Sequence, residues 1–489
     1  MCLESGPVMP RRPIYLFNTM SRSTEPFVSM SEDRVGVYTC GPTVYNNAHL
    51  GNMRTYIFSD TLVRLLRANE FIVNHVMNIT DVGHLTSDAD EGEDKMELGA
   101  AREGRTAWQI AETYENSFIE QCELLNIVSP NTLCRATEHI PQQIRMVEQL
   151  EANGFTYRTE DGIYFDTTLV ADYGRLARLD KDGLRSVMRV AAAEKRNKTD
   201  FALWKFSRAD ENRQMEWPSP WGVGFPGWHI ECSAMSTFYL GDQFDIHTGG
   251  IDHIPVHHSN EIAQSENATG CAPFVRYWMH GNFLQMENDE RMAKSKGTFA
   301  TAFSVVERGM DPLAYRFLCM KSHYRNTMKF SWEILESANV AFRRLKQTIA
   351  DIQIQANSQT GAVSKSDKGH SYEEKISDAF NNDLGTPAAL TLLQSALNDE
   401  QLHPNAKLQI VETFDHIAGL KLMEAANMLS YAPFSAPSEI QELAELRQDA
   451  RLRRDWKTAD ELRSRLSEEG YIVEDTPEGF KLSARDKVQ

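Results

Sequence analysis

Four residues of metal-binding type stand at spacings that could converge on one point: Cys40, Cys232, His257 and Glu261. His257 and Glu261 are four residues apart in Ile251–Gln264 (IDHIPVHHSNEIAQ), a segment of helical character, so their side chains leave one face a turn apart. Cys232 precedes His257 by 25 residues, and Cys40 ends a predicted strand far upstream. Two thiolates, an imidazole and a carboxylate form a borderline-soft set that suits Zn2+. His247, His253 and His258 lie close by, and spacing alone leaves the choice of imidazole open. A second chemistry-bearing stretch is Arg291–Gly297 (RMAKSKG), a basic, glycine-ended loop whose ammonium groups could close over a polyphosphate. His84, Asp88, Asp90, Glu91, Glu93 and Asp94 crowd one glycine-containing loop and read as a solvated acidic surface in preference to a second metal site.

These residues need elements to position them. Arg34–Arg54 (RVGVYTCGPTVYNNAHLGNMR) reads as strand, tight turn and helix: Val35, Val37 and Thr39 alternate as in a half-buried strand, Gly41-Pro42 breaks it, and Ile57, Leu62, Leu65 and Leu66 follow at helical spacing. Phe71–Asn78 is a second strand, which makes a strand–helix–strand unit of a parallel sheet. In such sheets ligands bind at the carboxyl ends of the strands, beside the positive amino end of the next helix. Cys40 stands at one such end, and Thr80-Asp81 closes the second strand at the same edge. From about Asp88 to Lys195 the pattern turns to charged amphipathic helices (Ala107–Leu125, His139–Asn153) and a hairpin-like piece at Gly154–Asp166, an insertion between two halves of the sheet. The sheet is expected to resume at Phe201–Lys205 and to reach Gly227–Ser233, with a further short strand at Phe283–Glu287.

The rest, from about Asp311, is helical: Leu313–Met320, Phe330 to Ile352, a flexible linker at Gln353–Ser371, then Tyr372–Asn398 and Ala406–Leu422. Ser438–Glu469 is a charged helix or helical pair carrying Arg447, Arg451, Arg453, Arg454, Lys457, Arg463 and Arg465, and Gly470–Leu482 a hairpin-like cap in which Tyr471 and Phe480 could pack or stack on a base. At 489 residues, 41% hydrophobic and 25% charged, the composition is that of a soluble protein of several domains. No run approaches the length of a membrane span and Met1–Pro13 has no apolar core, so a cytoplasmic location is expected. Seven thinly spread cysteines argue for thiols or metal ligands over a disulfide framework. A net charge of −18 excludes a generally basic coat, though not a local basic face.

Taken in order, these stretches resemble the class I cysteinyl-tRNA synthetases, from about Ile14 to Leu482. Thr39–Asn52 resembles the first signature, in which CGPTVY precedes the HIGH box; Asn78–Gly83 (NITDVG), Pro226–Met235 (PGWHIECSAM) and Asp245–Gln264 follow, and Arg291–Ser295 (RMAKS) takes the place of KMSKS. The resemblance implies an α/β fold: a Rossmann-like parallel-sheet catalytic domain with an inserted domain, then an α-helical bundle and a small C-terminal cap. It divides the chain into catalytic halves at 14–100 and 196–310, an inserted connective domain at 101–195, a helical bundle of tRNA-binding type at 311–434 and an anticodon-binding region at 435–489. It implies one zinc per chain on Cys40, Cys232, His257 and Glu261, and so selects His257 from the cluster. Thr80, Trp228 and Asp252 would shape the cysteine pocket, His49 and Asn52 would stand at the ATP phosphates, and Lys294 would contact ATP. Cysteine, ATP with Mg2+, and tRNA(Cys) are the partners implied, with a monomer expected and no membrane. Both signature boxes depart from the pattern: Asn52 stands where a second histidine is usual, and Arg291 and Ala293 replace a lysine and a serine. Asn52 can donate through its amide but cannot become a cation. The alternatives are the cysteine ligase of mycothiol synthesis, which the long helical tail disfavours, and a catalytically silent zinc-bound cysteine or tRNA sensor.

Overall fold

The computed structural model describes residues 12–83, 95–178, 195–208, 213–286, 299–358, 367–431, 437–476 and 479–484. At its centre five parallel strands lie in the spatial order Val275–Gly281, Phe244–Gly250, Arg34–Thr39, Ile72–Ile79, Thr132–Arg135. Numbered along the chain this is 5-4-1-2-3, a doubly wound sheet, and its order reverses between the first strand and the fourth. The strand alternation expected at Val35–Thr39 is replaced by burial of Val35, Val37, Tyr38 and Thr39 alike, because helices cover both faces. Val35 and Val37 join the core under the helix Leu50–Ala68, with Met53, Ile57, Leu62, Leu65 and Leu66. Tyr38 and Val76 face the other way, onto Cys232 and Met235 of the helix Trp228–Leu240.

Several sequence expectations are corrected. Thr132–Arg135, inside the stretch read as an insertion, is an edge strand of the central sheet, paired with Ile79 and its neighbours. Phe201–Phe206 does not resume that sheet: it is the third strand of a four-stranded antiparallel sheet with Thr156–Arg158, Gly162–Phe165 and Gly224–Pro226. The Gly154–Asp166 hairpin exposes an edge that needs an antiparallel partner, and Phe201 meets it by stacking on Phe165 with ring centroids 5.1 Å apart. Gly227–Ser233 is the start of a helix and not a strand; Gly227 caps it where a Cβ would lie 2.0 Å from the Ala202 carbonyl oxygen. The strand expected at Phe283–Glu287 is Leu284–Met286, paired in parallel with Met328–Phe330. The acidic loop His84–Asp94 and the whole of Arg291–Gly297 lie outside the described residues.

The helical half consists of Leu313–Met320, Trp332–Ser358, Asp367–Asn381, Thr386–Leu397, Pro404–Ala418 and Leu422–Tyr431. Both described ends of the expected linker are helical, since one helix runs on to Ser358 and the next begins at Asp367, and residues 359–366 lie outside the described residues. The bundle is tied to the helix Leu50–Ala68 through Arg316, fully buried, which pairs with Asp60 and donates to the carbonyl of Ala418 at 2.7 Å. The C-terminal pair Ser438–Leu452 and Trp456–Glu468 packs with the hairpin Tyr471–Thr476/Gly479–Ala484 around a core of its own: Ile440, Ala444, Leu466 and Val473. Tyr471 and Phe480 pack on that core, and Arg447 and Arg451 pair with Asp475. The basic residues turned to solvent are therefore Arg453, Arg454, Lys457, Arg463 and Arg465. Among the described residues no helix is long and apolar enough to cross a membrane.

Candidate active site

The strand order reverses where Cys40 leaves the first strand, its amide donating to the carbonyl of Thr248 at 3.2 Å. Here a cavity of about 270 Å3 opens over the carboxyl ends of the strands. Cys40, Cys232 and His257 line its floor, Thr80, Trp228 and Asp252 its walls, and His49 and Asn52 its rim. Lys294, the remaining residue expected at the site, lies outside the described residues.

Each floor residue arrives from a different element. Cys40 ends a strand, Cys232 sits in the second turn of Trp228–Leu240 and not at a strand end, and His257 opens the helix His257–Thr269, one turn before Glu261. Ligand atoms of Cys40, Cys232, His257 and Glu261 all lie within 4.8 Å of one another, and all four residues are buried. His257 Nε2 is 3.0 Å from Glu261 Oε1, and Cys40 Sγ is 3.9 Å from the same oxygen. Cys40, His247, His258 and Glu261 form a second set of the same compactness, so geometry by itself admits two overlapping donor sets. The first carries two sulfurs and opens into the cavity, whereas His247 and His258 do not line it. A buried carboxylate, two thiols and an imidazole converging in one small volume fit a divalent borderline-soft cation, which neutralises charge that the interior otherwise leaves repelling.

The electrostatics have the same polarity. Burial pushes the Cys40 thiol well above its ordinary range, while the hydrogen bond from Cys40, aided by His257 against burial and Glu261, lowers Cys232 to about 7. Burial opposes the charged form of His257, but Glu261 and Cys232 outweigh it and raise the imidazole to about 10. Burial likewise works against Glu261 as an anion, yet His247 and His257 hold it far below the carboxylate range. His253, by contrast, is lowered by burial to about 4.

A second layer fixes the first, and the sequence reading passed over most of it. His247 Nε2 lies 2.9 Å from Glu261 Oε2, and His229 Nδ1 lies 2.9 Å from His257 Nδ1, leaving His257 Nε2 to face the cluster. Trp228 covers His257, ring centroids 4.7 Å apart. His229 stands three residues before Cys232 in the same helical turn, and that spacing was the available signal. On the strand side Asn78 bonds both Gly41 and Thr80. Gly41 is required there, because a Cβ would fall 1.6 Å from the Asn78 carbonyl oxygen.

The rim is built differently. His49 is the N-cap of Leu50–Ala68: its Nδ1 accepts from the Asn52 amide at 3.1 Å, and Asn52 Oδ1 accepts from the His49 amide at 3.1 Å. This reciprocal capping box spends the Asn52 oxygen on the backbone and leaves its NH2 as the end that can donate to a ligand. Burial lowers the His49 imidazole, which suits its role as a neutral acceptor, and its ring meets Phe299 edge to face at 5.8 Å. The helix amino terminus faces the cavity, a ready anion site.

Comparison with known proteins agrees with this architecture. Residues 26–340 match the class I (C) tRNA synthetase catalytic domain, and residues 435–480 the cysteinyl-tRNA ligase anticodon binding domain. A cysteine–tRNA ligase 1 of Burkholderia lata is 48% identical over 96% of this chain and 97% of its own length. A cysteine–tRNA ligase of Treponema denticola is 43% identical, over 94% of this chain and 97% of its own. Among solved structures, the methionyl-tRNA synthetase of Mycobacterium tuberculosis with methionyl-adenylate shares the fold at a TM-score of 0.55 and 15% identity, covering 82% of this chain and 94% of that one. With one relative nearly half identical from end to end and both domain families matched in order, the chain belongs to the cysteine–tRNA ligase family of class I aminoacyl-tRNA synthetases.

Proposed function

We propose that this chain activates L-cysteine with ATP to cysteinyl-adenylate and transfers the cysteinyl group to the 3' end of tRNA(Cys). The observation that carries the reading is the compact Cys40, Cys232, His257, Glu261 cluster at the floor of a cavity whose rim is a helix amino terminus. We take the metal to be zinc, one per chain. When bound there, zinc supplies a Lewis-acidic position at which a thiol ionises near neutral pH while a serine hydroxyl is a poor ligand. A site built around one strong bond rejects the analogue lacking it, so no editing step is needed.

The chain's own residues do the rest by positioning and charge. Trp228, Thr80 and Asp252 close the amino-acid pocket and hold the substrate so that its carboxylate faces the rim. His49 and Asn52 hold the ATP phosphates at the helix amino terminus, so that the carboxylate attacks the α-phosphorus in line and pyrophosphate leaves. Lys294, with Mg2+ on the phosphates, offsets the charge that develops on the leaving group. No covalent enzyme intermediate is required. The solvent-facing bases of the C-terminal unit contribute tRNA phosphate contacts. The match to an anticodon binding domain at 435–480 disfavours a mycothiol-type cysteine ligase. We further propose a cytoplasmic monomer, with an inserted unit between the halves of the catalytic domain, a helical tRNA-binding bundle and a C-terminal anticodon-binding region. Cysteine-dependent ATP–pyrophosphate exchange, measured alongside charging of tRNA(Cys), tests the proposal. Exchange without charging would indicate a cysteine ligase for another acceptor, and absence of both a silent sensor.

A further inference from the structure

One histidine on the cavity wall belongs to neither donor set. His253 closes the turn Ile251–His253 between the strand Phe244–Gly250 and the helix His257–Thr269, and its half-buried side chain lines the cavity, as those of His247 and His258 do not. The strand beneath is cut away to seat it: at Gly249 a Cβ would lie 2.9 Å from His253 Nδ1 and 2.7 Å from His258 Cε1. The ring stands against the floor, its centroid 5.1 Å from that of His257 and 5.1 Å from that of His258, and it meets Trp228 edge to face at 6.5 Å.

The two nitrogens of this ring are unlike. Nδ1 is enclosed beside Gly249 and has no hydrogen-bond partner among the described residues. A proton there would make a buried N–H without an acceptor, a defect that folded proteins avoid more strictly than an unpaired acceptor. The proton of a neutral ring therefore belongs on Nε2, and a protonated ring carries one there as well. In either state Nε2 donates. With Nδ1 enclosed, the ring reaches the cavity by its other edge, the one that bears this N–H.

We infer that His253 is a specificity-determining residue whose Nε2–H donates to the sulfur of the bound amino acid. The inference rests on the cysteine reading of the site and adds a second criterion to it. The floor against which the ring stands is where that reading puts the thiol, whereas the carboxylate faces the rim. A sulfur held by the cluster is ionised, so a hydrogen bond to it is charge-assisted and roughly twice as strong as one to the neutral hydroxyl of serine. The cluster tests whether the ligand atom suits a borderline-soft cation; His253 tests whether that atom arrives as an anion.

The test uses the full-length protein loaded with Co2+ in place of zinc and titrated with L-cysteine, so that the sulfur-to-metal charge-transfer absorption of the substrate is read together with its affinity. His253→Leu removes the donor, and His253→Gln carries an NH2 to about the place of Nε2. His253→Leu should weaken L-cysteine about tenfold and move the absorption to longer wavelength, because a hydrogen bond withdraws charge from the sulfur. His253→Gln should keep the affinity within about threefold and the absorption where wild type has it. Metal content, and the absorption of Cys40 and Cys232 before L-cysteine is added, should be the same in all three proteins, which shows the floor intact. Weaker binding with an unmoved absorption would make His253 wall packing alone, and an unchanged affinity would mean that it does not meet the sulfur; either overturns the inference. If L-cysteine adds no sulfur absorption to wild type, the cysteine reading itself fails, so the two failures are distinguishable.

Discussion

The floor and the rim of the cavity are built on opposite principles. At the floor, the side chains of Cys40, Cys232, His257 and Glu261 are buried, drawn from three elements and braced by His229 and His247. At the rim, His49 and Asn52 spend two hydrogen bonds on each other's backbone and present a neutral surface, with Asn52 exposed. A rigid, charged, desolvated floor suits a discriminating step, in which one atom of the substrate is tested against a fixed geometry. A rim of helix dipole and amide suits a step in which charge appears and leaves, provided a cation can meet it. On the proposed function, specificity and rate belong to different physical devices on the floor and the rim of one cavity.

The largest effect should follow from breaking the floor. Cys232→Ser and His257→Ala are expected to remove metal and cysteine binding together, and to lower cysteine-dependent exchange by roughly 10³-fold or more, since the site then lacks the bond it is built around. Metal analysis beside exchange kinetics checks this; a metal-free variant that still discriminates cysteine from serine would break the division of labour. Next comes the brace. His247→Ala should weaken metal affinity by roughly 10- to 100-fold through loss of the contact that orients Glu261, while the metal can still be restored by excess zinc. Competition with a chelator measures it, and an affinity equal to wild type would show that Glu261 is held by packing alone.

A smaller and more selective loss is expected from removing residues beyond 437. That unit has its own core of Ile440, Ala444, Leu466 and Val473, so the cavity should survive its deletion. Pyrophosphate exchange should be spared, while the KM for tRNA rises on the order of tenfold and its salt dependence flattens as phosphate contacts vanish. Equal loss of exchange and charging, at unchanged melting temperature, would couple the unit to the cavity and weaken the contrast drawn here.

How legible all this was depended on whether a feature is local. The turn at Gly41-Pro42, the helix that follows and the His257–Glu261 pair are set by residues a few positions apart, and periodicity exposes them. The partner of a strand is not local. Phe201–Phe206 has the same apolar run whether it joins a parallel or an antiparallel sheet, and only its pairing with Ile163 and Phe165 decides. Thr132–Arg135 is four residues long and ends in an arginine, too short to stand out from the helices around it. Gly227–Ser233 alternates Trp228, Ile230 and Cys232 with His229 and Glu231 as a strand would, and its helix has no N-cap beyond a glycine to mark it. The residues of metal-binding type were recognisable as types, but which imidazole faces the cavity follows from the His229 and Trp228 contacts to His257 between the helices Trp228–Leu240 and His257–Thr269. Asn78 gave no signal at all, since its role rests on an amide orientation that exists only when Gly41 and Thr80 are beside it.

The smallest effect is expected at Asn52, and it sharpens the comparison most. If the rim works by dipole and Lys294 by charge, Lys294→Ala should cost on the order of tenfold more in kcat than Asn52→Ala, because charge-assisted hydrogen bonds are roughly twice as strong as neutral ones and meet charge that develops only in the transition state. Asn52→Ala also removes half of the capping box at His49, so its loss should lower stability by about 1 kcal/mol. Two readouts separate the roles. Single-turnover adenylate formation reports the amide NH2 on the phosphates, and the melting temperature reports the cap. Asn52→Asp keeps the oxygen that accepts from the His49 amide but has no NH2 and adds a negative charge, so it should preserve the cap and slow chemistry more than Asn52→Ala does. An Asn52→Asp variant as fast as wild type would show that residue 52 only caps the helix. The rim would then owe its anion binding to the helix terminus and His49 alone.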